Sequence, residues 1–184
     1  MQQGEVPRIA PGTRRDLGFV NAAIVKLSGL AVRGKPPNIF ATLARNRRLF
    51  RRWLWFAGGL MPGGKLPRRD TELVVLRVAH NTGSEYEWAQ HERIAQRAGL
   101  GEAEVSRVRE GPGAQGWSER QAALLAAADA MHADGSIGDE LWARLDAQLD
   151  EPRLIELCML IGHYEMLAMT LNTLRVQADF PARL

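Results

Sequence analysis

The 184-residue sequence holds one cysteine, Cys158, and only two tyrosines. A lone cysteine excludes an intramolecular disulfide and any redox cycle run by two thiols of one chain, and it makes a cytoplasmic location the default expectation. The net charge of +3 is too small to argue for nucleic acid by itself. No run reaches the ~18 apolar residues of a membrane span, so neither a nucleic-acid nor a membrane partner is expected. The opening stretch MQQGEVPRIAPGTRRDLG has no apolar h-region and does not read as a secretory signal. There is no Gly-rich phosphate loop of either common type, hence no nucleotide site is expected. His80, Glu87 and His91 can be drawn as a metal triad, but no His-Glu-x-x-His or similar spacing supports one, so no metal is expected. No segment alternates apolar and polar residues with a period of two, which leaves an all-α fold.

What is present fits one helical domain. The hydrophobic share of 46% is enough for a real core in a chain of this length. Residues 1–17 hold two prolines and little pattern and read as an arm, followed by a domain over 18–184 of about seven to eight helices. The first helix runs from Gly18 to Val32, and Gly34-Lys35-Pro36-Pro37 ends it. Asn38 is placed to cap a second helix running to Phe56. That helix mixes Arg45, Arg47, Arg48, Arg51 and Arg52 with Phe50, Trp53 and Trp55. It admits three readings: a solvated basic face, a nucleic-acid patch, or an arginine turned inward onto an anionic substrate. Its large apolar side chains, Phe50, Trp53, Leu54 and Trp55, exceed what one small core obviously needs, as at a homo-oligomer interface. Ser118 with Gln121 forms a capping box, and Ser136 with Asp139 suggests another cap. Pro152 suits the first turn of a last long helix. A weak internal repeat relates about 69–98 to 151–177, laying Glu156 on Glu72 and Tyr164 on His80.

The most informative stretch is ELVVLRVAHNTGSEYEWAQH, Glu72 to His91. An apolar helix ends at the turn Asn81-Thr82-Gly83, and Ser84 opens a second helix. At about 100° per residue, Ser84, Trp88, His91 and Ala95 share one face, with Glu87 at its edge. His91 lies too deep in its helix to cap anything, and an imidazole suits proton transfer near neutrality. Glu72, followed by Leu-Val-Val-Leu, is a candidate buried acid or base, or else a first-turn carboxylate favoured by the helix dipole. Ser84 and Glu87 form the Ser-x-x-Glu signature of a capping box, and Glu87 can alternatively serve as a proton-transfer group. Ser84, Trp88 and Asn81 border the same corner and read as substrate contacts. His163-Tyr164 reads as core packing or as a second wall of the same site, and His132 as a solvent-facing residue.

This spacing resembles the alkylhydroperoxidase-D-like / carboxymuconolactone decarboxylase superfamily. Its peroxidase branch carries Glu, eleven residues, then Cys-x-x-Cys-x-x-x-His. Here Glu72 and His91 match, while Ser84 and Glu87 stand where the cysteines would be and Tyr86 where some peroxidases have a histidine. Without thiols the peroxidase chemistry has no nucleophile and no resolving group. The resemblance then implies the decarboxylase branch: cofactor-free acid–base chemistry on a small carboxylated or lactone-type substrate. In that reading Glu72, Glu87 and His91 handle protons, and Tyr86 stabilises an oxyanion. The competing implication is a non-catalytic small-molecule-binding protein. The resemblance further implies a homo-oligomer, a trimer or hexamer.

Overall fold

The computed structural model describes residues 6–31 and 34–179. The expected helix end at Val32 and the first five residues of the expected arm lie outside them. Among the described residues the chain forms nine helices and no strand: α1 (Arg14–Ala31), α2 (Asn38–Leu43), α3 (Arg47–Leu60), α4 (Arg68–Asn81), α5 (Glu85–Arg97), α6 (Glu102–Glu110), α7 (Glu119–Asp134), α8 (Asp139–Asp146) and α9 (Glu151–Leu174). The fold is all-α. The segment read as one helix from Asn38 to Phe56 is two, because the Asn46 side chain accepts the Leu49 N–H at 3.3 Å and starts α3 afresh. Asn38 does not cap α2; its amide donates to the Gln177 carbonyl at 3.0 Å. Ser136 does not cap α8 either, whose N-cap is Gly138. The box on α7 is complete, with Ser118 and Gln121 bonded reciprocally at 3.2 and 2.9 Å. Helix α1 begins at Arg14, ahead of the expected boundary, but breaks at that boundary, where Gly18 holds φ 72°.

Where the sequence reads as one domain, the chain clusters into two compact units. One comprises the chain up to Pro62 together with the segment from Thr170; the other is Gly63–Met169. In the first unit Leu17, Val25, Ala41, Ala44 and Phe50 are buried together, with Trp53 and Leu54 packed against them. Three arginines of the basic run stay exposed and bond to residues of α1. Arg47 donates to the carbonyls of Arg15 and Asp16, Arg51 to the Asn21 side chain at 3.2 Å, and Arg45 pairs with Asp16 at 3.2 Å. Of the four apolar side chains expected at an interface, Phe50 is buried and Trp55 is 87% exposed.

In the second unit α4 is central, packed against α5, α6 and α7. That explains its near-continuous apolar run: Leu73, Val74, Val75, Leu76 and Val78 are all fully buried. Arg77 pairs with Asp129 of α7 at 2.5 and 2.9 Å and donates to the Val108 carbonyl of α6 at 2.8 Å, so one side chain ties three helices. Helix α9 runs unbroken through the region that the repeat lays over the end of α4. Its Glu156 accepts the backbone N–H groups of Lys65 and Leu66 at 2.5 and 3.1 Å, a different role from that of Glu72. Contrary to the sequence expectation, α9 is long and apolar enough to cross a membrane. Half of that stretch is buried in the fold, as in a core helix.

The α4–α5 corner is fixed by backbone chemistry. Gly83 takes φ 61°, its N–H bonds the His80 carbonyl at 3.1 Å, and the Ser84 N–H bonds the Ala79 carbonyl at 2.9 Å. This is the paired-bond helix stop that a left-handed residue permits. Ser84 is at once the residue that completes this stop and the N-cap of α5. A Cβ on Gly83 would meet nothing within 4 Å, so Gly83→Ala isolates the backbone cost. The variant is expected to lose about 1–2 kcal/mol in a urea melt; an unchanged midpoint would show that the corner does not depend on this conformation.

Candidate functional site

Glu72 lies in the second turn of α4 with no exposed surface, and His91 lies two turns into α5. The α4–α5 corner brings them together: His91 Nδ1 is 2.7 Å from Glu72 Oε2. Holding Nδ1 leaves Nε2 as the ring nitrogen that faces chemistry. The second oxygen, Oε1, lies 3.0 Å from Arg68 Nη2, an ion pair too poorly aligned to count as a hydrogen bond. Arg68 is part-exposed, so the line Arg68–Glu72–His91 runs from the surface into the interior. The Tyr164 ring of α9 meets His91 edge-on, with centroids 5.1 Å apart, and His163 meets Tyr164 at 5.2 Å.

Glu87 is the odd member. It is 2% exposed, and neither carboxyl oxygen has a hydrogen-bond partner among the described residues. The expected capping box is only half made. The Ser84 hydroxyl accepts the Glu87 N–H at 3.5 Å, but the carboxylate does not reach back, because the Ser84 N–H is already bonded to Ala79. The cap role expected for the Glu87 side chain is therefore absent. Burial first, and the charge of Glu165 second, push its carboxyl well above the usual range. Burial, then the neighbouring His91, lowers His163 to about 4. Burial, then Glu87 and Glu72, raise the Tyr164 phenol well above its ordinary value.

The structure thus joins Glu72, His91 and Glu87 on one buried face and sends the other four expected residues elsewhere. Tyr86 is buried but projects about 140° round α5 from His91; the phenol beside His91 is that of Tyr164. Trp88 packs into the α4–α6 core under the Arg109 guanidinium, 3.7 Å from its ring centroid. Asn81 donates to Asp129 at 2.8 Å within the Arg77 network. The Ser84 hydroxyl caps α5. Residues passed over by the sequence reading are Arg68, whose i,i+4 spacing to Glu72 was a visible signal, and Glu165, which had none. Three or more metal-ligating side chains do not cluster anywhere among the described residues.

Two groups give opposite pH dependences. His163 stays neutral in the fold while the unfolded chain takes a proton near 6.5, so its share of stability is lost as pH falls from about 6.5 to about 4. Glu87 stays protonated in the fold while the unfolded chain ionises near 4.5, so its share is lost as pH rises through that value. Glu87→Gln is therefore expected to melt higher than the parent at pH 7, by at least the 2–4 °C that about 1 kcal/mol gives in a chain of this size. The gap should close below about pH 4.5. Thermal melts from pH 4 to 8 decide it; a gap independent of pH would mean that Glu87 is ionised in the fold.

Residues 47–130 match the model of the carboxymuconolactone decarboxylase family. No curated protein matches the sequence. Among solved structures, the peroxidase-related protein from Silicibacter sp. TM1040 superposes with a TM-score of 0.82 at 13% identity, over 96% of this chain and 95% of that one. The alkylhydroperoxidase AhpD core protein from Ralstonia eutropha JMP134 gives 0.82 at 17%, over 95% and 93%. The debrominase Bmp8, in complex with 2,3,4-tribromopyrrole, gives 0.78 at 18%, over 93% and 91%. At such identities these likenesses establish the fold and nothing further. The family match over residues 47–130 and the Glu72–His91 spacing are both features of similarity to the carboxymuconolactone decarboxylase / alkylhydroperoxidase-D-like superfamily, whose fold this chain shares.

Proposed function

We propose that the chain is a cofactor-independent acid–base enzyme that decarboxylates a small carboxylated or lactone-type substrate. The observation that carries this reading is a buried carboxylate–imidazole couple at 2.7 Å on the same face as a second buried carboxyl, Glu87, which burial pushes well above the usual carboxylate range. A carboxyl raised by its surroundings is what a site needs to hold a proton ready beside a second acid–base group. The substrate carbonyl, β to the leaving carboxylate, accepts a hydrogen bond from the Nε2–H of an imidazolium that Glu72 stabilises. The bond to the carboxylate breaks, carbon dioxide leaves, and the electron pair becomes an enolate held by His91, with Tyr164 in the place expected for Tyr86. Glu87 gives its proton to the enolate carbon. One proton is consumed per turnover.

A thiol peroxidase is disfavoured by more than the cysteine count. Cys158 lies on α9 outside the Glu72–His91 corner, and burial raises its thiol, which opposes the thiolate that peroxide chemistry requires. Assembly as a homo-oligomer in the cytoplasm is part of the same proposal. The exposed Trp55 on α3 and the exposed Ile155, Met159, Met166 and Met169 on α9 support the assembly.

The test is carbon dioxide release from a panel of small carboxylated lactones and β-keto acids, with mass spectrometry of any copurifying ligand. Turnover is expected to fall about 10²–10⁴-fold in Glu87→Gln and His91→Gln, with the folded state retained in both. A panel that releases nothing, with a copurified ligand that is neither a carboxylate nor a lactone, would rule the decarboxylase out. With a dithiol reductant, turnover of an organic hydroperoxide should be absent. If it were present and abolished by Cys158→Ala, the rejection of thiol chemistry would be wrong.

A further inference from the structure

The net charge of +3 averages two unequal parts of the chain. No aspartate or glutamate occurs between Asp16 and Asp70, a stretch that holds the whole basic run. The unit made of the chain up to Pro62 and the segment from Thr170 carries 13 of the 24 lysines and arginines and 3 of the 21 acids, a net of +10. Gly63–Met169 carries the remaining 11 and 18, a net of −7. Each excess shows on one helix. On α3, Arg45, Arg47 and Arg51 are bonded to α1, which leaves Arg48 and Arg52. On α8, Arg144 pairs with Glu119, which leaves Asp139, Glu140 and Asp146. All five are exposed, and none has an ion pair or a side-chain hydrogen bond among the described residues.

Two of these charges stand where their own helix disfavours them. Arg48 is in the first turn of α3 and Asp146 ends α8, each at the end of the helix dipole that carries its own sign. Local structure therefore does not account for either. The stripes they belong to match step for step. Arg48, Arg52 and Trp55 follow one another at intervals of four and three on one face of α3. Asp146, Trp142 and Asp139, taken backwards along α8, have the same intervals. Trp55 is 87% exposed and Trp142 41%.

We infer that the basic face of α3 docks on the acidic face of α8 in a second copy of this chain. The inference rests on the homo-oligomer of the proposed function and specifies which surfaces build it. The two helices run antiparallel. Arg48 meets the second copy's Asp146, Arg52 lies over its Trp142 ring, and Trp55 sits beside its Asp139. Guanidinium on carboxylate and guanidinium on indole are both favourable pairings, and the second already occurs inside the chain, where Arg109 lies over Trp88. The contact joins unlike surfaces, so it is heterologous. An anionic lipid surface or a nucleic acid would also suit α3, but neither accounts for the acidic face of α8. Two helices of this length make a small interface, so its strength rests on the charges and falls as salt screens them.

The experiment is sedimentation of the full chain at micromolar concentration in low and high salt. One variant carries Arg48→Glu with Arg52→Glu, the other Asp139→Lys with Asp146→Lys. Each alone sets like charges against each other, and its association constant is expected to fall tenfold or more. An equimolar mixture is expected to associate like the parent, because each variant supplies the sign that the other lacks. The two changes on α8 act oppositely on its dipole, so its melting point should stay near that of the parent. If either variant melts early, Arg48→Gln and Asp146→Asn replace it, with weaker association still expected. Parent-like association of either variant alone, or a mixture that does not recover, overturns this contact and leaves the homo-oligomer standing. A monomeric parent overturns both. Binding of the parent to phosphatidylserine vesicles or to duplex DNA that Arg48→Glu with Arg52→Glu abolishes, without a change in self-association, assigns the face to that partner and also overturns the contact.

Discussion

The fold is arranged around one expensive act, the complete burial of the Glu72 carboxylate in the middle helix. An isolated ionised carboxylate in an apolar interior is penalised by several kcal/mol, and the penalty is offset only if partners meet it with good geometry. One partner, Arg68, comes from the same helix a turn earlier. The other, His91, comes from the next helix, so it is available only if α4 and α5 meet at a fixed angle. That angle is set at Thr82-Gly83-Ser84, where a left-handed glycine closes one helix and a serine opens the next. A few residues of turn chemistry thereby hold in place an interaction worth more than any of them contributes alone. The Arg77–Asp129 pair on the far side of α4 braces the same helix against α6 and α7, so that α4 cannot rotate to return Glu72 to water.

Around this fixed couple the surroundings decide what each acid does. Glu72 has a cationic partner and an imidazole; Glu87 has neither, and burial first, then a second carboxylate, push its carboxyl well above the usual range. Histidine shows the same division: His91 is tied to a carboxylate, while His163, buried beside it, is kept neutral.

Much of this was legible in the chain. The Glu72–His91 spacing, the glycine turn and the serine cap each rest on local rules, and local rules are what a sequence displays. The core role of α4 was legible too, since a run without polar interruption is what a helix packed on several sides requires. What was not legible depended on non-local contacts. Trp88 was assigned to the corner by its helical phase with His91, and Tyr86 by its position in the resembled motif. A helix spreads neighbours about 100° apart, and one of them faces a different core. The phenol that meets His91 comes from α9, more than seventy residues later, and periodicity left Tyr164 open between core packing and a second wall of the site. The basic run on α3 misled in another way. Three of its arginines are spent on the carbonyls and side chains of α1, a use that a charge count cannot distinguish from a ligand site.

The half-made capping box links the turn to the chemistry. Had Glu87 reached back to the Ser84 N–H, that bond would have favoured its ionised form and drawn its pKa down, leaving a carboxylate that structures the helix but cannot donate a proton at neutrality. The reach is blocked because Ser84 spends its N–H on Ala79, completing the stop of α4. The bond that terminates one helix therefore deprives the next of a cap on its third residue, and the carboxyl so released stays in the interior without a donor. In the peroxidase motif that this segment resembles, this position is a cysteine, whose thiol makes no such cap. A glutamate substituted there would ordinarily be absorbed into helix capping. In this chain the backbone has pre-empted that fate, and a buried neutral acid is the result. The acidity of the site is thus set, one step removed, by the φ angle of a glycine.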